Sequence, residues 1–235
     1  MQKEKKKLVA FIGSRRGHNS NGERVIREFL ELEYWKDYSI TIISADELQI
    51  NQCQGCNQCF QQGYCVYDKL DDMGEIKEKL IDADLILVYS PVFVHNVNAA
   101  TKNFIDRIAA WTHIFRLIGK RVIVCSGSSG NGDEFVIAYL RKVMISMGAC
   151  VIGQLIIHTA KKDYSNEYEQ LIQRVKNSYE RPDSCKITSW QNELFHVYKE
   201  IYMGRNDLYE ARYWEENRMF DYSNFKEFFY AQLLQ

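Results

Sequence analysis

Five short apolar runs narrow the folds open to this chain: Leu8–Gly13 (LVAFIG), Ser39–Ser44 (SITIIS), Asp84–Tyr89 (DLILVY), Arg121–Cys125 (RVIVC) and Val151–Ile157 (VIGQLII). Each has the length of one strand, and near-continuous apolarity marks a strand buried on both faces. Segments of helical period lie between them. Glu23–Leu32 puts Val25, Ile26, Phe29 and Leu30 on one face, and Asp71–Ala83 does the same with Met73, Ile76, Leu80 and Ile81. Ala99–Ala110 and Glu134–Met147 continue the alternation. Strands alternating with helices in this way predict a parallel sheet with helices on both faces.

The character changes near His158. Beyond it no further strand is expected, and Asn166–Tyr179, Ser189–Ile201, Asp207–Trp214 and Tyr222–Leu233 read as helices rich in aromatic residues. The expected organisation is a sheet domain over residues 1–158 and an α-helical extension over 159–235. Such an extension suits an appendage packed on the sheet domain, or a lid or dimer arm over a neighbouring site. The formal net charge of −1 gives no electrostatic case for nucleic acid or an anionic membrane. The apolar start, Leu8–Gly13, is too short for a signal segment, and no run reaches the length of a membrane span. Seven cysteines without a secretion signal predict a reducing, cytoplasmic setting. Pro91 and Pro182, the only two prolines, mark special turns.

Four of the cysteines, Cys53, Cys56, Cys59 and Cys65, fall in one run, CQGCNQCFQQGYC. Short gaps drive the thiolates toward one point, as an iron–sulfur cluster held by cysteine sulfurs requires. A closed zinc site is the rival, although zinc sites more often use two separated C-x2-C pairs. Reactive or incidental loop thiols are the third reading. Cys125, Cys150 and Cys185 are isolated; Cys125 and Cys150 flank strands and are expected to pack as small hydrophobes.

Ligands of open α/β sheets bind beyond the carboxyl ends of the strands, so the loops that follow the strands matter most. The first loop, Gly13 to Gly22 (GSRRGHNSNG), opens directly into a helix and suits a phosphate. Ser14, Asn19, Ser20 and Asn21 offer neutral donors there, and Arg15 or Arg16 offers charge. It is neither a Walker A sequence nor G-x-G-x-x-G, although Ser and Asn also cap helices that bind nothing. The loop from Ser90 to Arg107 begins with a rigid proline turn, carries Phe93 and Val97 as apolar surface, and leaves amides around Val92–Asn96 for a heteroaromatic edge. The glycine-rich Ser126–Asp133 (SGSSGNGD) allows close approach of a flat ligand. Ordinary turn chemistry explains either of these two loops alone. Phosphate, ring-edge and ring-face loops in this order describe a mononucleotide site.

These features resemble the flavodoxin-like NAD(P)H-dependent FMN reductases, and among them the iron–sulfur flavoproteins. The resemblance rests on GSRR…NSN after the first strand, the cysteine run followed by DKLDDM (Asp68–Met73), and SPVF…NAATKNFIDR. It spans about Lys7 to Leu155; YWEENRMFD (Tyr213–Asp221) resembles the helical extension of some members. It implies a doubly wound five-stranded parallel sheet of order 2-1-3-4-5. It implies phosphate contacts from Ser14, Arg16, Asn19, Ser20 and Asn21, and isoalloxazine and ribityl contacts from Pro91, Val92, Phe93, Asn96 and Val97. It also implies ring contacts from Ser126, Gly127 and Gly130, and a [4Fe–4S] cluster on Cys53, Cys56, Cys59 and Cys65. Arg15 and Phe93 stand where the family more often has proline and tyrosine. Lys102, Asp106 and Arg107 also match, with an Asp106–Arg107 pair expected to be structural.

The function so implied is electron transfer from NAD(P)H through FMN to a small-molecule acceptor or a redox protein, in a homodimer or homotetramer. The flavin carries the chemistry, so no side chain is required as a catalytic base. His95, in the flavin loop, is the one candidate proton donor, beside its plainer reading as a solvent-facing residue. Two other classes remain open. One is a cluster-free reductase of quinones, azo dyes, nitro compounds or activated alkenes. The other is a non-catalytic electron carrier, which the near-neutral charge and the helical tail disfavour.

Overall fold

The computed structural model describes residues 5–233; the outermost residues of the two expected segments, 1–4 and 234–235, lie outside them. Five strands form the parallel sheet: β1 (Lys6–Ile12), β2 (Tyr38–Ser44), β3 (Leu85–Phe93), β5 (Arg121–Ser128) and β6 (Cys150–His158). Their order is β2-β1-β3-β5-β6, and β4 (Asn96–Val97) is a short strand paired antiparallel with the end of β3. This is the flavodoxin-like doubly wound sheet, with every expected apolar run in place. A bulge between Val122 and Ile123 shifts the register of β5 against β6.

Alternation along each buried strand feeds two cores. Val9, Phe11, Ile86, Val88, Val122 and Val124 face α3 (Met73–Asp82), α4 (Ala99–Asp106) and α5 (Asp133–Ser146), where Phe11 and Phe104 stack at 3.9 Å. Leu8, Ala10, Ile12, Leu85, Leu87, Ile123 and Cys125 face the other side, with Val25, Ile26 and Phe29 of α1 (Asn21–Leu30). Between β2 and α3, the cysteine run carries a short helix, α2 (Gln58–Gln62), bounded by left-handed Asn57 and Gly63.

Packing divides the residues after His158. Helix α6 (Ser165–Glu180) completes the second core through Tyr168, Leu171 and Val175, and the Tyr168 hydroxyl donates to the Val25 carbonyl at 2.8 Å. Helices α7 (Ser189–Tyr202), α8 (Tyr209–Glu216) and α9 (Phe225–Leu233) instead build a third core with Ile114 and Phe115 from the sheet domain. Phe195, Trp214, Phe225 and Phe229 are fully buried in it. The Thr188 side chain and Gln191 form a reciprocal capping box at the start of α7. No helix among the described residues is long and apolar enough to cross a membrane.

One expectation fails here. Cys150 does not pack as a lone hydrophobe: it is disulfide-bonded to Cys185, with Cα atoms 5.6 Å apart. The partner lies 35 residues away, beyond anything that local spacing reports. It ties the first residue of β6 to the segment leading into α7. Thiol titration of unfolded, unreduced protein freed of metal is expected to find the five remaining cysteines, and seven after reduction. Seven before reduction would contradict the pairing.

Candidate functional site

The carboxyl ends of β1, β3 and β5 open into a pocket of about 470 Å³. Ser14, Arg16, Ser20 and Asn21 line it from the first loop, Pro91, Val92 and Phe93 from the end of β3, and Gly127 from the end of β5. These three loops are brought together as expected. Ser20 is the N-cap of α1: its hydroxyl accepts from the Glu23 amide at 3.3 Å, and the first-turn amides beyond it have no partner in the helix. Ser14 is buried and its hydroxyl accepts from the Arg16 amide at 3.2 Å, while Arg15 and Arg16 are exposed at the rim.

The other expected residues lie outside the lining. Asn19 is exposed in a 3-10 turn, its amide donating to the Arg16 carbonyl at 3.1 Å. Ser126 is fully buried and donates to Asp133 Oδ1 at 3.0 Å. Ser128 donates to the other oxygen at 2.6 Å, so the buried Asp133 carboxylate braces the glycine-rich loop. Gly130 faces open space. Asn96 and Val97 form β4, pairing with Phe93 and Val92. That hairpin replaces the expected open loop. Its two turn residues, Val94 and His95, have φ of +50° and +58°, a conformation costly for a β-branched side chain. The His95 ring meets Phe135 edge-on at 5.7 Å, while Val94 and Phe93 are exposed at 95% and 58%.

Tyr89, Asn98, Ser128 and Thr159 also line the pocket. Tyr89 lies near the end of the buried part of β3, and its ring fits only because Gly22 and Gly127 flank it: a Cβ on either would come within 2.0 Å or 2.5 Å of the hydroxyl. Burial raises the phenol well above its ordinary range, against the opposing Ser20 hydroxyl, so Tyr89 remains a neutral donor. Asn98 is the N-cap of α4; it donates to the Gly13 carbonyl at 2.6 Å and accepts from the Thr101 amide at 3.1 Å. It thereby joins the loops that follow β1 and β3. The signal for Asn98 was present in N-A-A-T, a cap residue before a helical run.

The four run cysteines line a second cavity, of about 50 Å³, together with Phe60, Tyr67, Asp106 and Arg107. Among the described residues no three Cys, His, Asp or Glu side chains stand at metal-coordination geometry. The donor set itself fits a four-sulfur centre, with four thiols on one cavity and a fully buried guanidinium beside them whose Nε has no partner among the described residues. Burial pushes the Cys59 thiol up; Cys65 adds to this, Lys77 opposes it, and Cys53 adds a smaller contribution. The expected Asp106–Arg107 pair is not formed. Asp106 pairs with Lys102, and Arg107 forks onto Asp71 at 2.5 and 3.1 Å. For Arg107, burial disfavours the charge, but the Asp71 hydrogen bond and the Cys65 sulfur outweigh it and hold the guanidinium above its ordinary value.

The tail reaches this second cavity from outside. The Phe60 ring packs on His113 at 4.7 Å, and His113 is held by the Tyr202 hydroxyl at 3.1 Å and Glu210 at 3.4 Å. A Cβ on Gly63 would strike the Tyr209 ring at 2.3 Å.

A mononucleotide-sized pocket past the strand ends of a flavodoxin-like sheet has the size and loop chemistry of a flavin mononucleotide site. Residues 6–162 match the family described as NADPH-dependent FMN reductase, and the chain belongs to that family, with FMN as cofactor and NADPH as donor. An iron–sulfur flavoprotein of Archaeoglobus fulgidus is 31% identical over 153 residues, covering 64% of this chain and 67% of that protein. An iron–sulfur flavoprotein of Methanosarcina thermophila is 31% identical over 151 residues, covering 63% and 77%. Among solved structures, an NADH:FMN oxidoreductase in its apo form shares the fold at a TM-score of 0.51 and 19% identity, over 73% of this chain and 89% of that one.

Proposed function

We propose that this chain passes electrons from NADPH through FMN to a small-molecule acceptor or a redox protein, and carries a [4Fe–4S] cluster on Cys53, Cys56, Cys59 and Cys65. The observation that carries the reading is the three-loop pocket of about 470 Å³ at the N-terminus of α1. Bound FMN would supply hydride acceptance and return of electrons in pairs or singly, and a cluster would supply one-electron steps. The rest falls to the protein. Ser14, Ser20, Asn21 and the first-turn amides of α1 offer donors to a phosphate, with Arg16 adding charge from the rim. Pro91, Val92, Phe93 and Gly127 form the walls for a flat ring, and neutral Tyr89 adds a hydroxyl at the floor. His95, exposed on the hairpin turn, would be the proton donor to a reduced acceptor. The exposed Phe93 and Val94 beside the pocket favour an acceptor with a flat apolar face. Self-association as a homodimer or homotetramer belongs to the same proposal, supported by Trp190, Val197 and Ile201, which leave apolar surface exposed along α7.

Heat release of the cofactor should yield FMN; FAD alone, or no flavin after incubation with FMN, would overturn the phosphate-loop assignment. Arg16→Ala removes one charge-assisted contact at an exposed position and should weaken FMN binding by about 1.5 kcal/mol, roughly tenfold. Unchanged affinity in a fluorescence titration would show that the phosphate is held elsewhere.

A further inference from the structure

Helix α4 is a wall of both cavities. Its entry residues Asn98, Ala99 and Ala100 line the flavin pocket, and its exit residues Asp106 and Arg107 line the cysteine cavity. At about 1.5 Å per residue the eight residues of the helix set these ends about 12 Å apart.

The loop that bears the cysteines begins and ends on the exit end of this helix. Before the run, Asn103 donates to the carbonyls of Ile50 at 3.2 Å and Asn51 at 3.3 Å, and its oxygen accepts from the Cys53 amide at 3.1 Å. After the run, Asp68 accepts from the Cys65 amide at 3.1 Å and from Arg107 Nη2 at 3.2 Å. Arg107, one turn beyond Asn103, binds both sides: Nη1 donates to the Asn51 carbonyl at 2.9 Å, and the fork takes Asp71. Asp71 in turn accepts from the Asn51 amide at 2.8 Å. One planar guanidinium thus spans the chain before Cys53 and after Cys65, which a lysine ammonium cannot do. Its side chain is fully buried, and its charge lines the same cavity as the four thiols, of which Cys53 and Cys56 are exposed.

We propose that Arg107 is a positioning residue that closes the cysteine loop into a single four-sulfur site on the end of α4, an inference that rests on reading that loop as a metal centre. The two ends are also tied by the Gln49–Asp72 and Asn51–Asp71 bonds and by Lys77, which donates to both Asp68 oxygens at 2.8 Å, so Arg107 adds its two-sided contact to a loop neck that is already paired. Asn103 supports the first end only, so its removal should act in the same direction and less strongly.

The test uses the full chain with FMN bound, prepared anaerobically without disulfide reductant so that Cys150–Cys185 stays paired, stripped of metal by chelation and titrated with Cd2+ alone. Thiolate-to-cadmium absorption gives affinity, and its intensity counts the engaged sulfurs. Wild type should take one Cd2+ on four sulfurs. Arg107→Lys should bind at least tenfold more weakly with fewer sulfurs engaged, at unchanged FMN affinity. Asn103→Ala should show a smaller loss and carries the test if the arginine variant does not fold. Equal affinity and intensity in wild type and both variants would overturn the clasp while leaving a four-sulfur site intact. Fewer than four sulfurs engaged in wild type would overturn the metal-centre reading, and this inference with it.

Discussion

Trp214→Ala is expected to cost about 3–5 kcal/mol, the usual range for emptying a large buried aromatic site. The indole is fully buried and touches the rings of Phe115, Phe195, Tyr202 and Phe220. Its Nε1 donates to the His113 carbonyl at 3.0 Å, so truncation also leaves that acceptor unpaired. The consequence should travel. His113 holds the Phe60 ring, and Tyr209 on the same helix as Trp214 closes against Gly63, so the cysteine loop loses its outer support. Denaturant unfolding should show a lowered midpoint, and amide exchange in the cysteine loop should quicken while that of the flavin loops stays as in wild type. An unchanged midpoint would mean that the tail does not brace this region.

Gly22→Val should remove about 3 kcal/mol of FMN binding, a loss of about two powers of ten. The added Cβ would sit 2.0 Å from the Tyr89 hydroxyl and 2.1 Å from Cζ of the same ring. Neither side can give freely: Gly22 is in the first turn of α1, and the Tyr89 ring also lies against Gly127. The ring must move into the pocket or the helix start must shift, and both spoil the phosphate and ring subsites together. Gly130→Ala is the control. A Cβ there meets nothing within 4 Å, so FMN affinity should stay near that of wild type. A fluorescence titration of the two variants reads the contrast directly; equal affinities would show that Tyr89 does not shape the site.

The sheet was legible because burial on both faces forces continuous apolar runs, and all five were where they were expected. The tail helices were legible from their period, but what they cover was not. Periodicity shows that α6 has an apolar face, and only packing shows that this face closes the sheet rather than joining the third core. The β3–β4 hairpin escaped because its turn is Val94–His95, where such turns favour asparagine or glycine. The site was read at the level of loops more securely than residues. Ser14, Arg16, Ser20 and Pro91–Phe93 reach the pocket, while Ser126 turns away because a buried carboxylate from α5 needs its proton. The motif alone pairs Arg107 with its neighbour Asp106. Its partners are Asp68 and Asp71, more than thirty residues upstream and made adjacent only by the fold.

Passage of electrons from NADPH to FMN in a chain that also binds iron on its cysteine run is tested most directly by the visible spectrum of anaerobically purified protein, before and after NADPH, with iron measured on the same sample. The expected spectrum shows flavin bands over a broad cluster shoulder, the flavin bands bleach on addition of NADPH, and iron is about four per chain. Each single Cys→Ser change in the run should lower the iron and leave the flavin bands in place. Flavin bands that NADPH leaves unbleached would contradict the reductase assignment, and iron-free protein with all four run thiols titratable would contradict the cluster.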